Sequence, residues 1–289
     1  MFSGGISMSK GKIYILMSAF IYGIIPLFAK ISYMGGANGI TLTFLRAALT
    51  IPLLLALLYG SGSDLRLSKT ELKKISVLGS LGAAAPIILL YMSYGYISIG
   101  LASTLHFIYP LITVLANIFI YHEKLKLHVL GAVILVTVGI LMFADISSSN
   151  DVIGIMLALL SGVFYSFYVI YIDRSGLDSM NYIKLTFYTM IIMSVSSFAF
   201  GMSVHAISFD MNLRAWAIAG VISILVSLFA VPLFQAGVKY EGASMAGILS
   251  AAEPLVSIIS GAVFLGEHIG AVQVIGILMI FAGIEVAGH

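Results

Sequence analysis

The chain has 289 residues, of which 61% are hydrophobic and 9% charged, with a mean hydropathy of +1.12. Soluble domains carry roughly 25% charged and about 45–50% apolar residues, so this composition excludes a water-soluble fold and makes lipid the solvent. A net charge of +2 excludes the clustered Lys and Arg that nucleic acid requires, and the absence of cysteine excludes disulfides, thiolate metal sites and cysteine nucleophiles.

Residues 1–9 read as a short disordered leader. The apolar stretch that follows exceeds the roughly 7–15 apolar residues of a signal-peptide core, and no small-residue cleavage site ends it. It is expected to be a retained helix. Crossing the hydrocarbon takes about 20 apolar residues, and reading between polar breaks predicts ten spans: 12–33, 39–59, 73–97, 101–121, 127–145, 151–173, 179–204, 213–239, 243–265 and 269–287. Runs such as Ile75 to Ile97 lack the alternation of barrel strands, so the spans are helices. The longest break, Gly60 to Glu71, leaves no room for an extramembrane domain. The expected fold class is therefore an all-α membrane protein of ten transmembrane helices in one integral bundle.

Basic residues set the expected orientation. With the N-terminus inside, Lys10, Lys12, Arg66, Lys69, Lys73, Lys74, Lys124, Lys126, Arg174, Lys184 and Lys239 border the inner breaks. Lys30 and Arg214 border the outer ones, and Arg46 lies within span 2. An even number of spans then puts both termini in the cytoplasm.

The chain repeats itself. Span 4 reads Pro110-Leu-Ile-Thr with Glu123 thirteen residues after the proline, and span 9 reads Pro254-Leu-Val-Ser with Glu267 again at thirteen. Ile40-Thr-Leu-Thr-Phe in span 2 matches Ile183-Lys-Leu-Thr-Phe in span 7. Gly95 and Gly100 match Gly237 and Gly242, and Ala102-Ser103 matches Ala243-Ser244, all at offsets of 141 to 144. Residues 10–146 and 147–289 thus form two five-helix repeats. Five is odd, so the second copy enters the membrane from the opposite face. Inverted repeats of this kind give secondary transporters their inward-open and outward-open states.

These residues resemble a known group. The two Pro-x12-Glu patterns, Phe44-Leu45-Arg46 in span 2 and Glu253-Pro254 in span 9 are similar to those of the EamA family of the drug/metabolite transporter superfamily. The similarity runs from about residue 12 to 286, in two copies. The resemblance implies a ten-helix carrier with a central cavity and alternating access. Its implied substrates are amino acids, nucleobases, quaternary amines and other metabolites, moved by export. His106 stands where the family pattern leads one to expect an apolar or small residue.

Ionisable residues deep in a span cost roughly 2.5–3.5 kcal/mol on insertion scales, so they face the bundle interior or a wet cavity. Arg46, His106 and Glu253 are the three. On span 4, His106, Tyr109, Thr113 and Asn117 share one helical face, and their equivalents Ser250, Glu253, Ser257 and Gly261 share one face of span 9. Two symmetry-related polar stripes are expected to line the seam between the halves. Glu253 can bind a proton or a cationic group, or can pair structurally with Arg46 or with a carbonyl freed by Pro254. His106 is a second proton-coupling candidate and equally a packing residue. Arg46 can hold a substrate carboxylate in a bidentate fork or can cap carbonyls to fix its own helix.

Tyrosine occurs 15 times. Tyr22, Tyr91, Tyr94, Tyr109 and Tyr165 can form an aromatic-lined pocket, with Gln235 beside it, or can serve in packing and interfacial belts. All six prolines fall inside predicted spans, where they kink helices. The run Gly79 to Ala85 is expected to allow close helix packing.

No phosphate-binding loop, zinc-protease or nucleophile-elbow motif occurs, so no catalytic residue, metal or cofactor is assigned. The expected partners are a small-molecule substrate and the lipid bilayer, and the sequence sets no oligomeric state. The reading is a secondary transporter of a small metabolite, amino-acid-like or related, in a bacterial-type inner cell membrane, exporting by exchange with protons or down the solute's own gradient. Uptake of a quaternary amine or nucleobase, an intramembrane lipid-modifying enzyme and a passive channel are the alternatives.

Overall fold

A computed structural model describes residues 9–124, 126–143, 151–266 and 268–288. All of the expected leader but Ser9, the junction between the repeats, and Glu267 lie outside the described residues. Among the described residues there is no strand.

The first helix, α1 (Lys10–Tyr33), begins where the Ser9 side chain accepts the Lys12 N–H at 3.2 Å. The second span is two helices, α2 (Gly39–Ala48) and α3 (Ile51–Gly60), rather than the single one predicted. Pro52 has no N–H and its ring crowds the carbonyl four residues back, which breaks the helix one turn earlier. The third span starts at Lys69 rather than 73, because Ser68 and Glu71 form a capping box. It comprises α4 (Lys69–Val77), a π-helix (Leu78–Ala84) and α5 (Ala85–Ser93). The fourth, predicted continuous, is α6 (Ile99–His106) and α7 (Tyr109–Phe119), broken just before Pro110. The fifth is α8 (Leu127–Leu141).

The second half answers in order with α9 (Val152–Arg174), capped by Asp151, and α10 (Tyr182–Ser203), capped by Asn181. Next come α11 (Leu213–Ile222), a second π-helix (Ser223–Ala230) and α12 (Val231–Leu249). Inside α12, Gly242 takes φ 77° and ψ 168°, a conformation open to glycine, and this residue separates predicted spans 8 and 9. The chain closes with α13 (Ala252–Leu265) and α14 (Ala271–Gly288). Each π-helix runs directly into a proline, Pro86 or Pro232.

Among the described residues seven helical runs are long and apolar enough to cross a membrane, and three shorter apolar helices, Leu127–Leu141, Ala252–Phe264 and Ala271–Ala287, complete the set. Large apolar side chains such as Phe20, Phe119, Phe264 and Leu278 stand on the outer surface. Exposure on this scale is stable only against lipid. Two shallow apolar grooves on that surface, of about 350 and 310 Å³, lie on α1 (Ile13, Leu16, Met17, Phe20) and on α9 (Ile153, Met156, Leu157, Leu160). The four residues named on each helix correspond at an offset of 140.

Packing follows the same exchange of halves. α1 packs on α12 and α13, while α9 packs on α5, α6 and α7. α2 meets its counterpart α10, and α8 meets its counterpart α14. Glycines set the closest approaches. A Cβ on Gly139 would lie 2.7 Å from the Gly276 carbonyl oxygen, and one on Gly276 would lie 2.6 Å from that of Gly139. Gly79 packs on Ile192 and Gly82 on Tyr168, as the small-residue run predicts.

Candidate functional site

The helix breaks converge on the centre of the bundle. At Arg46 the break before Pro52 diverts the Thr50 N–H to the Ala47 carbonyl, at 3.3 Å. The Arg46 carbonyl is then satisfied by three hydroxyls, from Thr50 at 2.7 Å, Ser223 at 2.9 Å and Ser227 at 3.0 Å. The two serines belong to the second π-helix, so Arg46 is anchored through its backbone by the opposite half.

Its guanidinium is left available. Nη2 lies 3.9 Å from the Met193 sulfur, and the buried Nε has no hydrogen-bond partner. Arg46 is within electrostatic reach of Tyr22, Tyr91, Tyr168 and Glu253. Arg46 and Glu253 make no direct ion pair among the described residues. Glu253 is in the first turn of α13, after the break at Ser250 and Ala251. It is half-buried, and its carboxyl group takes no hydrogen bond from a described residue, whereas its backbone N–H bonds Ser250 at 2.9 Å. The Glu253 carbonyl packs on α1, where a Cβ on Gly23 would lie 2.6 Å from it.

Across from Glu253 stand the aromatic rings. Tyr109, only 1% exposed, meets Tyr165 edge-on at 4.6 Å between centroids, and Tyr165 stacks on Tyr168 at 5.6 Å. Glu253 reaches Tyr22, Tyr94, Tyr109 and Tyr165 electrostatically. His106 Nδ1 is 2.9 Å from Ser161 Oγ, and its ring packs on Tyr109 and Tyr165 at 5.7 and 5.3 Å. The carbonyl freed by Pro110 is that of His106, and it lies against Gly162, where a Cβ would come within 2.7 Å.

Polar groups here are unevenly satisfied. Gln235 Nε2 donates to the Tyr168 hydroxyl at 3.2 Å, and its Oε1 accepts from Thr186 at 2.8 Å. Thr113 donates to the Tyr109 carbonyl at 2.8 Å and its hydroxyl lies 3.0 Å from that of Ser166, and Ser250 donates to the Ala246 carbonyl. Among the described residues, three buried side-chain polar atoms lack a bond of acceptable geometry: Arg46 Nε, Tyr109 Oη and Tyr33 Oη. Tyr109 lies beside Ser250 and Tyr33 beside Tyr91 without bonding well to either. An orphaned buried polar group costs about 1–3 kcal/mol, so each of these three atoms calls for a partner.

The structure therefore draws together Arg46, Glu253, His106, Tyr22, Tyr91, Tyr94, Tyr109, Tyr165, Gln235 and Ser250. Thr113 is tied into α9 one turn away, and Ser257 is half-buried further along α13. Asn117 sits apart, at the far end of α7, bonded to Ser244 at 2.8 Å. Tyr168, Ser161, Thr186 and Tyr33 join the cluster. Ser161 and Tyr168 share a helical face with Tyr165 by their spacing alone, whereas nothing local distinguishes Tyr33 from an interfacial tyrosine.

The EamA-like transporter family model matches residues 9–144 and again 152–287. This chain belongs to that family. The double match coincides with the two halves that exchange places in the packing. EamA-like relatives include proteins named as uncharacterised transporters. One from Archaeoglobus fulgidus is 25% identical over 76% of this chain and 79% of its own. YcbK of Bacillus subtilis is 24% identical over 96% and 93%, and one from Clostridium kluyveri is 24% identical over 96% and 92%. A solved crystal structure superposes with a TM-score of 0.84 over 97% of this chain and 98% of that one at 17% identity, which establishes a shared fold. This EamA-like protein is a multi-pass transporter of the cell membrane.

Proposed function

We propose that this EamA-like transporter is a secondary carrier of a small amino-acid-like metabolite, bound at the central cluster and exposed to each side of the membrane in turn. The observation that carries the reading is the Arg46 guanidinium, with Nε unbonded, within electrostatic reach of a Glu253 carboxyl that takes no hydrogen bond from a described residue, both reaching the same tyrosine, Tyr22. Arg46 binds the substrate carboxylate. Glu253 binds its cationic group, or a proton in exchange, with His106 as the second proton site.

The same reading takes all ten apolar segments as crossings, with both termini cytoplasmic and the halves inverted. Its support is that the bonded turns sort into two sets. Ser9 bonds Glu241, Lys184 donates to the Arg66 carbonyl and Lys74 to that of Ser175. Separately, Asn38 donates to the Ala206 carbonyl at 2.8 Å and the Asn212 N–H to that of Gly35 at 3.0 Å. The first set carries most of the Lys and Arg, which favours the cytoplasmic side. Export is the direction that the family resemblance suggests.

A thermal-shift screen of purified protein against amino acids, amines, nucleobases and organic acids tests the reading. Zwitterionic amino acids are expected to stabilise the parent protein and not Arg46→Met. A second reading, a quaternary amine held over Tyr109 and Tyr165 beside Glu253, is favoured by the 4.6 Å ring pair. Stabilisation by choline-like ligands in both proteins would select it.

A further inference from the structure

We infer that Arg174 is the lock of one gate of the transport path. The inference rests on the carrier reading above. Arg174, at the C-terminus of α9, bonds Glu123, reaches Asn117 Oδ1 at 3.5 Å and Asp173 at 3.3 Å, and lies over the Tyr121 ring at 5.1 Å. Asn117 donates to Ser244 at 2.8 Å, and Ser244 donates to Glu123 at 3.5 Å. Asp173 lies beside Ala243 and the left-handed Gly242, where a Cβ would come within 3.9 Å of its Oδ1.

One guanidinium thus joins the end of α7, the end of α9 and the segment after Gly242. The first two come from different halves of the protein, and the third is the start of the broken helix that carries Glu253. Just inside this knot, Thr113 and Ser166 bond at 3.0 Å, on the way to the central cluster.

The repeat predicts a counterpart at the other end. Ser103 is the equivalent of Ser244, but its partner is the Tyr94 hydroxyl at 3.5 Å. Tyr94 meets Tyr91 at 5.5 Å between ring centroids, and Tyr91 neighbours Tyr33. Opening the Arg174 end requires separating Arg174 from Glu123.

The chain lacks cysteine, so a single reporter is clean. Ser166→Cys, purified and placed in liposomes, is labelled with a membrane-impermeant maleimide added to the Arg174 side. Slow labelling is expected in the parent background. Arg174→Ala and Glu123→Gln are each expected to label at least fivefold faster, and the charge exchange Arg174→Glu with Glu123→Arg to return towards the slow rate. Equal rates in all backgrounds would overturn the lock, as would fast labelling in the exchanged pair. No substrate is needed, so a lock confirmed in a protein that moves no solute would fault the carrier reading and leave the gate intact. If Arg174→Ala fails to fold, Arg174→Lys and Glu123→Gln provide the same comparison.

Discussion

At the scale of single residues, the notable feature is chemistry that the repeat does not duplicate. The helices of the two halves correspond, yet Arg46, His106 and Glu253 each occur once, and the equivalents of His106 and Glu253 are Ser250 and Tyr109. A near-symmetric scaffold therefore encloses an asymmetric site, as a substrate with distinct ends requires. A hydrogen bond to a charged group contributes about 1.5–3 kcal/mol, so Arg46→Met should weaken ligand binding by about ten- to a hundredfold. Calorimetric titration of purified protein checks this, and an unchanged affinity would remove Arg46 from the site. Glu253→Gln keeps shape and loses charge. It is expected to fold normally while its transport in liposomes loses most of its pH dependence, and an unaltered pH profile would exclude Glu253 from coupling.

At the scale of elements, the breaks matter more than the helices. Arg46, the His106 and Tyr109 pair, and Glu253 all lie beside interruptions that precede a proline, and the carbonyls of Arg46, His106 and Ser250 meet hydroxyls, a glycine and the Glu253 N–H respectively. A Cβ on Gly23 would lie 2.5 Å from the Val256 side chain and 2.6 Å from the Glu253 carbonyl, so Gly23→Val must push α13 away from α1. Gly139→Val is a matched control, because it separates α8 from α14 away from the site. Overpacking costs about 1–3 kcal/mol at either place. Thermal unfolding in detergent should show comparable losses, whereas ligand binding should fall at least fivefold only in Gly23→Val.

The apolar helical segments and the two-repeat organisation were legible in the sequence because apolar length and the repeated Pro-x12-Glu pattern are local signals. So were Arg46, His106 and Glu253, since a charge within a span has little alternative to facing inward. The split of spans 2 and 4 and the π-helices before Pro86 and Pro232 were not legible. A proline marks where a helix is disturbed, but whether it bends, breaks or passes through a π turn depends on what neighbouring helices offer the freed carbonyl. Ser223 and Ser227, 177 and 181 residues from Arg46, make that offer here. Asn117 shows the limit of helical periodicity. Its spacing places it on the His106 face, yet the break at 107–108 and the length of α7 carry it to the knot around Arg174.

At the scale of the whole molecule, lipid is the solvent and the apolar outer surface follows from that. Lipid provides no hydrophobic drive between helices, so close glycine contacts such as Gly139 on Gly276 carry the cohesion. The proposed inverted pairing adds function to this architecture: one half takes the other's arrangement while the central cluster stays between them. Solute counterflow in liposomes tests this most directly, using the amino acid that best stabilises the protein. Unlabelled solute inside is predicted to accelerate uptake of labelled solute outside, saturably, with loss of at least nine-tenths of the rate in Arg46→Met. Flux that rises linearly with concentration, or counterflow that survives without Arg46, would contradict a carrier built around this cluster.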